Sequence, residues 1–411
     1  MPFIDTGLSH VLSEPLARLG YAQPTPVQLK SIPVVLSGAD LLARARTGTG
    51  KTAAFGLPMI DRLLVRGRRA PRPRTMRGLV LVPTRELAIQ VQRALTTYGA
   101  PVHARVAVIV GGVGMRPQVD ALRGGVDIVV ATPGRLIDHM QQRTADLSGV
   151  EIITLDEADR LLDMGFLPSL KRILQALPAA RQTLLFSATL SSEVARLASA
   201  FTREPARVDV SGDDVVCERV THRIHNVGEG GKGDALARVL TEAPAGQALV
   251  FCKTKRRSDR VGDHLRRAGI NAAVIHGNKS QGARNRALGD FKAGRVAVLV
   301  ATDIAARGLD IAQLPLVVNY DLPAVATDYV HRVGRTARAG RAGRAVSLVS
   351  GTDRELLPAI QRLLSDPVEE VGHAPIVSRP AAVTRRSRDR SWGRRNRPTY
   401  RPGGNDPSHS R

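Results

Sequence analysis

The chain has 411 residues, 43% of them apolar and only 3% aromatic, which allows two or three aliphatic cores of ordinary domain size. Sixty Lys and Arg against 37 Asp and Glu give a formal net charge of +23, a balance that implies a polyanionic partner through counterion release, nucleic acid first. The two cysteines, Cys217 and Cys252, lie far apart and exclude a disulfide framework or a Cys-rich metal site, and the absence of a charged leader or of an apolar run near the roughly 18 residues that cross a bilayer predicts a cytoplasmic protein that no membrane holds.

Residues 3–20 carry apolar side chains at helical spacing, Leu8, Val11, Leu12, Leu16 and Leu19, and predict an amphipathic helix. The turn that follows, G-Y-A-Q-P-T-P-V-Q over residues 20–28, is punctuated by prolines. Its aromatic and amide, Tyr21 and Gln28, suit the face and edge of an adenine, although packing is the commoner use of such a pair.

The apolar Leu41-Leu42-Ala43 then leads into A-R-T-G-T-G-K-T, residues 45–52, followed by a helix-compatible segment. This is the spacing and context of a P-loop, with Ala45 where the first glycine usually stands. Gly48 and Gly50 let backbone N–H groups turn toward an oxyanion at a helix N-terminus, Lys51 reaches for β and γ phosphates, and the Thr52 hydroxyl suits Mg²⁺.

Short apolar runs at residues 79–82, 106–110, 128–131, 152–155 and 183–186 alternate with helix-like stretches and predict βαβ units around a parallel sheet. Ligands of such sheets sit at the carboxyl ends of the strands. There the chain places Asp156-Glu157-Ala158-Asp159, with Asp156 suited to Mg²⁺ and Glu157 to an attacking water. Another strand ends in Ser187-Ala188-Thr189, two hydroxyls placed to relay between sites. Pro83-Thr84-Arg85-Glu86-Leu87-Ala88, Gly111-Gly112 and Thr132-Pro133-Gly134-Arg135 combine small residues, hydroxyls and arginines, a set that positions backbone phosphates without reading bases.

A polar, turn-rich stretch closes a first domain at residues 1–208 and gives a linker at 209–216. A second alternating series, with strands at 248–251, 272–275, 297–301, 316–319 and 345–349, forms a domain over 217–366 that lacks a P-loop. Two like domains sharing one nucleotide are expected. The second contributes A-T-D-I-A-A-R-G-L-D, residues 301–310, and H-R-V-G-R-T-A-R, residues 331–338. Arg335 and Arg338 project from one helical face, and their spacing alone is equally compatible with neutralising a γ-phosphoryl group and with binding nucleic acid. Residues 367–411 form a basic tail: from Arg385 onward it holds nine Arg against two Asp, with Trp392 and Tyr400 among them, which predicts disorder and RNA contact by stacking and charge.

Taken together these motifs, in their order and spacing, resemble the DEAD-box family of ATP-dependent RNA helicases (superfamily 2) over roughly residues 1–366, and the run Ile275 to Arg284 resembles the bacterial RhlE-type branch. The resemblance implies an α/β fold of two tandem RecA-like domains, each a mostly parallel sheet flanked by helices, closing over ATP, Mg²⁺ and single-stranded RNA. Phe3, Tyr21 and Gln28 would receive the adenine, Ala45, Arg46, Thr47, Gly48, Thr49, Gly50, Lys51 and Thr52 the phosphates, and Asp310 the ribose. Thr52 and Asp156 would hold the metal, Glu157 the water, and Arg335 and Arg338 would be arginine fingers beside the catalytic Lys51. Ser187 and Thr189 would couple hydrolysis to strand separation. RNA would meet Pro83, Thr84, Arg85, Gly112, Thr132, Gly134 and Arg135 in the first domain and Gln281, Arg284, Thr302, Asp303 and Gly308 in the second. Arg46 and Ala337 stand where the family often has Gln and usually has Gly. The implied activity is RNA-stimulated ATP hydrolysis that separates short duplexes or remodels RNA–protein complexes, in a monomer whose partners act in ribosome assembly or RNA decay. A second reading is an ATP-gated RNA clamp or annealing chaperone in which hydrolysis serves release.

Overall fold

A computed structural model of the chain describes residues 2–46, 48–67, 72–210, 220–228, 230–243, 246–306, 309, 311, 314–336, 342–364 and 368–371. The strands are β1 Leu41–Arg44, β2 Met76–Leu81, β3 Val106–Ile109, β4 Val126–Ala131, β5 Ile152–Leu155, β6 Gln182–Ser187 and β7 Ala206–Asp209 in the first domain. The second holds β8 Val220–Asn226, β9 Ala248–Cys252, β10 Ala272–Ile275, β11 Val298–Thr302, β12 Leu316–Asn319, β13 Gly343–Val349 and β14 Val368–Val371. Neighbouring strands are parallel, in the orders β3-β4-β2-β5-β6-β1-β7 and β10-β11-β9-β12-β13-β8-β14. Each strand of the second sheet thus takes the place of the strand seven earlier in the first.

A parallel sheet carries helices on both faces, so its strands read as continuous aliphatic runs. In β4, Ile128 and Val130 enter one core while Val129 and Ala131 enter the other, all of them fully buried. With few aromatics, the packing on either side is done by Leu, Val, Ile and Ala. Among the described residues no helix is long and apolar enough to cross a membrane.

Three expectations need correction. The N-terminal segment is a short turn, Phe3–Thr6, followed by a helix at His10–Arg18; Leu8, Leu12 and Leu16 are buried, whereas Val11 and Leu19 are 40% and 43% exposed. The segment docks through those leucines, which join the first-domain core, and through polar contacts: the backbone N–H and hydroxyl of Ser9 both donate to the buried Asp61 carboxylate, at 2.6 and 2.8 Å. The linker does not begin at 209, because β7 runs to Asp209 and the buried Val210 still donates its N–H to the Arg44 carbonyl. The second domain does not stop at 366, because β14 pairs in register with β8 from Val368↔His222 to Val371↔His225.

The correspondence of the sheets extends to the turns after them. β1 leads through glycines to Lys51, the first residue of the helix Lys51–Ile60. β8 leads through Gly228, Gly230 and Gly231 to Lys232, the first residue of the helix Lys232–Glu242. Lys232 is spoken for: its ammonium donates to the Asp353 carboxylate at 2.7 Å and to the Tyr320 carbonyl at 2.9 Å, and lies 3.7 Å from Asp321.

Candidate active site between the two domains

The phosphate loop is built as its residue types require. Gly48 and Gly50 have φ of +87° and +92°, in the left-handed region where a side chain is strained, and a Cβ on Gly50 would also collide with the Gln28 amide. Lys51 is buried and donates to the Ala45 carbonyl at 3.1 Å, while the Ala45 N–H donates to the Ser187 carbonyl at 2.9 Å. The Thr49 hydroxyl donates to the Arg46 carbonyl at 2.8 Å, and Thr52 follows in the first turn of the helix. Thr47 lies outside the described residues.

The proline-punctuated turn locks onto this loop. Thr25 caps the helix Pro26–Ser37; its N–H donates to Gln28 Oε1 at 2.9 Å and its hydroxyl to the Thr49 carbonyl at 2.8 Å, while Gln28 Nε2 donates to the Gly50 carbonyl at 3.1 Å. The amide expected at an adenine edge is therefore engaged with the phosphate loop. Tyr21 is half-buried, edge-on to Phe3 with ring centroids 6.3 Å apart, and its hydroxyl bonds that of Tyr98 at 2.7 Å.

The acidic quartet follows β5. Asp156 is buried, and burial pushes its carboxyl up to about 6; Lys51 opposes the rise and Glu157 adds to it. Glu157 sits at φ +53°, a left-handed conformation unusual for a side-chain-bearing residue, at the start of the helix Ala158–Asp163. Its Oε2 accepts from Arg160 Nη1 at 2.9 Å. Asp159 accepts from the Ala188 N–H, the Thr189 N–H and the Thr189 hydroxyl at 3.1, 2.9 and 3.1 Å, and its own N–H donates to Ser187 Oγ at 3.2 Å. Burial alone would raise Asp159, but Lys51 and the bonds from Thr189 hold it below the usual carboxylate range. The two hydroxyls expected to couple distant events are thus joined to the last residue of the quartet.

From the second domain, His331 approaches the same quartet; burial and Arg160 hold its imidazole below the ordinary value, against the pull of Asp159. Arg332 is buried over the Phe251 ring and grips Asp303 through two bonds of 2.6 and 2.7 Å, with further bonds to the Asn319 side chain and the Asp321 carbonyl. The Asp303 carboxylate, expected at RNA, is therefore held inside its own domain. Arg335 is 7% exposed and donates to the Leu309 carbonyl at 2.7 Å. Gly308, Asp310 and Arg338 lie outside the described residues.

Several of the residues expected at RNA, Arg85, Arg135, Gln281 and Arg284, lie beside this seam. Thr84 caps the helix Arg85–Gly99, and the Arg85 guanidinium lies so close over Gly112, at φ +75°, that any Cβ there would collide with it. Arg135 Nη1 donates to the Val113 carbonyl at 2.9 Å. Pro83 and Thr132 are buried, Gly134 is exposed, and Thr302 is buried at the end of β11. Burial, together with nearby Arg284 and Arg135, pulls Arg85 below the ordinary guanidinium value, so three arginines from both domains share one region. Between the domains, the carboxylate of Glu86 accepts from Arg284 at 2.7 Å and from Gln281 at 3.1 Å. Sequence reasoning assigned no role to Glu86, Asp159, Arg160 or Arg332; Glu86, Asp159 and Arg332 stood inside quoted motifs, where their neighbours drew the assignments, and Arg160 stood one residue past the quartet.

Comparison with known proteins agrees with this arrangement. The family described as DEAD/DEAH box helicase matches residues 25–197, and the helicase conserved C-terminal domain matches residues 231–340. The DEAD-box ATP-dependent RNA helicase CshA of Bacillus subtilis is 41% identical over 88% of this chain and 72% of its own length. The ATP-dependent rRNA helicase RRP3 of Gibberella zeae is 44% identical over 90% of this chain and 75% of its own. Bacterial and fungal relatives match almost equally, which identifies the family rather than a branch. Among solved structures, S. cerevisiae Dbp5 bound to RNA and ADP BeF3 superposes with a TM-score of 0.80 at 29% identity, covering 90% of this chain and 95% of that one. With two matching sheets, a phosphate loop, a D-E-A-D strand end and relatives of that kind over most of its length, this chain belongs to the DEAD-box family of ATP-dependent RNA helicases.

Proposed function

We propose that this helicase hydrolyses ATP when single-stranded RNA lies across both domains, and that closure of the seam between them strips short duplexes locally. The observation that carries the reading is the bridge from Glu86 to Arg284 and Gln281, which joins the domains beside Arg85 and Arg135. On the same seam His331 faces the quartet. A ligand that touches both domains favours the closed form, so ATP and RNA assist one another's binding by the same factor.

Within the closed form, Lys51 and Arg335 bring positive charge to the phosphates and Glu157 orients water. Asp156, a buried carboxylate facing Lys51, and the Thr52 hydroxyl fit a hard cation shared with phosphate oxygens; they would hold Mg²⁺, which supplies charge neutralisation when bound. Arg85, Arg135 and Arg284 meet the RNA backbone, which carries no sequence information, so little sequence preference is expected and 2′-hydroxyl contacts distinguish RNA from DNA. Loss of the γ-phosphoryl group removes the Arg335 contact and lets the domains part. The +23 charge, concentrated partly in the basic tail, supports RNA as the partner.

The test is the ATPase rate with and without single-stranded RNA, with matched DNA and Glu157→Gln as controls. Stimulation by RNA alone, abolished by the substitution, is the expected result; equal stimulation by DNA overturns the substrate assignment.

A further inference from the structure

We infer that Arg160 is a positioning residue that fixes the orientation of Glu157 only while the two domains are together. The inference rests on the reading of Glu157 as the residue that orients water. Arg160 is the largest of the fully buried side chains among the described residues, although it lies only one residue past the acidic quartet at a strand end where polar groups normally face ligand. Its Nη1 holds Oε2 of Glu157 at 2.9 Å, with both side chains buried. The other oxygen, Oε1, has no hydrogen-bond partner among the described residues. The backbone of Glu157 is fixed as well, since its N–H donates to Asp156 Oδ1 at 2.9 Å and its φ is +53°. A carboxylate pinned at one oxygen and open at the other can receive a hydrogen bond from water without first swinging into place, and pre-paid orientation of this kind lowers the barrier to the chemical step.

What makes the pin conditional is the origin of its surroundings. Arg160 belongs to the first domain, but the narrow crevice it lines is otherwise made by the second: Phe251, Asp303, Asp328, His331, Arg332 and Arg335. With those side chains withdrawn, the pair between Arg160 and Glu157 becomes an ordinary helical i,i+3 contact in water, too weak to select one rotamer. With them in place water is excluded, and the Coulomb attraction between the two groups rises steeply as the local dielectric falls. A ligand that closes the seam therefore also tightens the hold on Glu157, which links domain closure to the rate of hydrolysis through one residue of the first domain.

The experiment uses the full chain, saturating single-stranded RNA, and Arg160→Gln, Arg160→Lys and Glu157→Gln in parallel. Arg160→Gln is expected to lower kcat about tenfold while KM for ATP stays within about twofold of the parent, because an interaction that orients the reacting group without binding substrate moves kcat alone. Arg160→Lys, which keeps the charge, is expected to recover a third or more of the lost rate, and Tm should hold in both. Unchanged or raised kcat in Arg160→Gln overturns the inference, as does a joint loss of kcat, ATP affinity and Tm that Lys repairs no better than Gln. Retained activity in Glu157→Gln would instead overturn the reading of Glu157 on which the inference stands.

Discussion

Arg284 of the second domain lies 2.7 Å from Glu86 of the first, and both side chains are buried. A salt bridge between domains that is shielded from water behaves differently from one on a surface: breaking it by removing one partner costs roughly 3–5 kcal/mol in a static interior, less where water can return. The cost falls on the closed form alone, because in the open form neither group needs the other. Glu86→Gln is therefore expected to weaken RNA binding in the presence of ADP BeF3 by about tenfold or more while leaving ATP binding without RNA unchanged. Fluorescence anisotropy with a short single-stranded RNA measures it. In a double-mutant cycle with Arg284→Gln the two losses should not add.

Gly50 and Gly165 separate two costs of a side chain. Both have positive φ, +92° and +77°, but a Cβ on Gly50 meets the Gln28 amide whereas one on Gly165 meets nothing. Gly165→Ala should cost about 1–2 kcal/mol of stability and no activity, the price of a left-handed backbone. Gly50→Ala should also dislodge Gln28 and raise KM for ATP more than about tenfold, beyond what backbone strain alone accounts for. Thermal unfolding and ATP titration of the two variants decide; equal effects in both would show that the contact with Gln28 is incidental.

Asp156 gives a pH dependence of known sign. Its carboxyl is raised from 3.8 to about 6, chiefly by burial, so the ligand-free folded state binds this proton more tightly than the unfolded chain does and loses stability as pH rises through that interval. Asp156→Asn, neutral at every pH, is expected to raise Tm of the nucleotide- and metal-free protein by roughly 2–3 °C at pH 7.5 while abolishing hydrolysis. At pH 5 the parent is already protonated there and no gain is expected. An equal gain at both pH values would assign the effect to packing.

Thr189 supplies two of the four bonds that the Asp159 carboxylate receives among the described residues, one from the backbone and one from the hydroxyl. Thr189→Val removes only the second and keeps the shape. RNA-stimulated ATPase should stay within about threefold, since a single neutral bond is worth roughly 1 kcal/mol. Separation of a short RNA duplex should fall further than the ATPase does, because the lost bond ties the quartet to the strand end after β6. A gel-shift unwinding assay run beside the ATPase assay compares the two losses, and a proportional fall in both would remove the coupling role.

Contiguous chemistry was legible in the sequence. The phosphate loop, the quartet and the S-A-T turn each show their residue types side by side after an aliphatic strand, and the structure keeps them at the carboxyl ends of β1, β5 and β6. Chemistry assembled from distant residues was not. Gln281 and Glu86 are 195 residues apart, and nothing local to either announces the other. Arg332 reads as one arginine among several until its two bonds to Asp303 are seen. Three strands were missed for a related reason. β7, A-R-V-D, buries only Val208. β8, V-T-H-R-I-H-N, buries His222 and Ile224 but leaves Thr221 exposed, and β14, V-E-E-V, is largely exposed at the sheet edge, so none of the three shows the aliphatic run that marks a fully covered strand.

Lys232 makes the two halves unequal in a way their matching sheets do not. Where the Lys51 ammonium donates to the Ala45 carbonyl and senses Asp156 and Asp159 without a hydrogen bond to either, Lys232 is bound directly by Asp353 with Asp321 close by, so an incoming phosphate would have to displace a bonded carboxylate. The duplicated scaffold thus has one seat for fuel and one seat filled by the protein's own carboxylates. A machine so built has no second phosphate seat to alternate with; each cycle starts from the first half, and the second half answers what the first has bound.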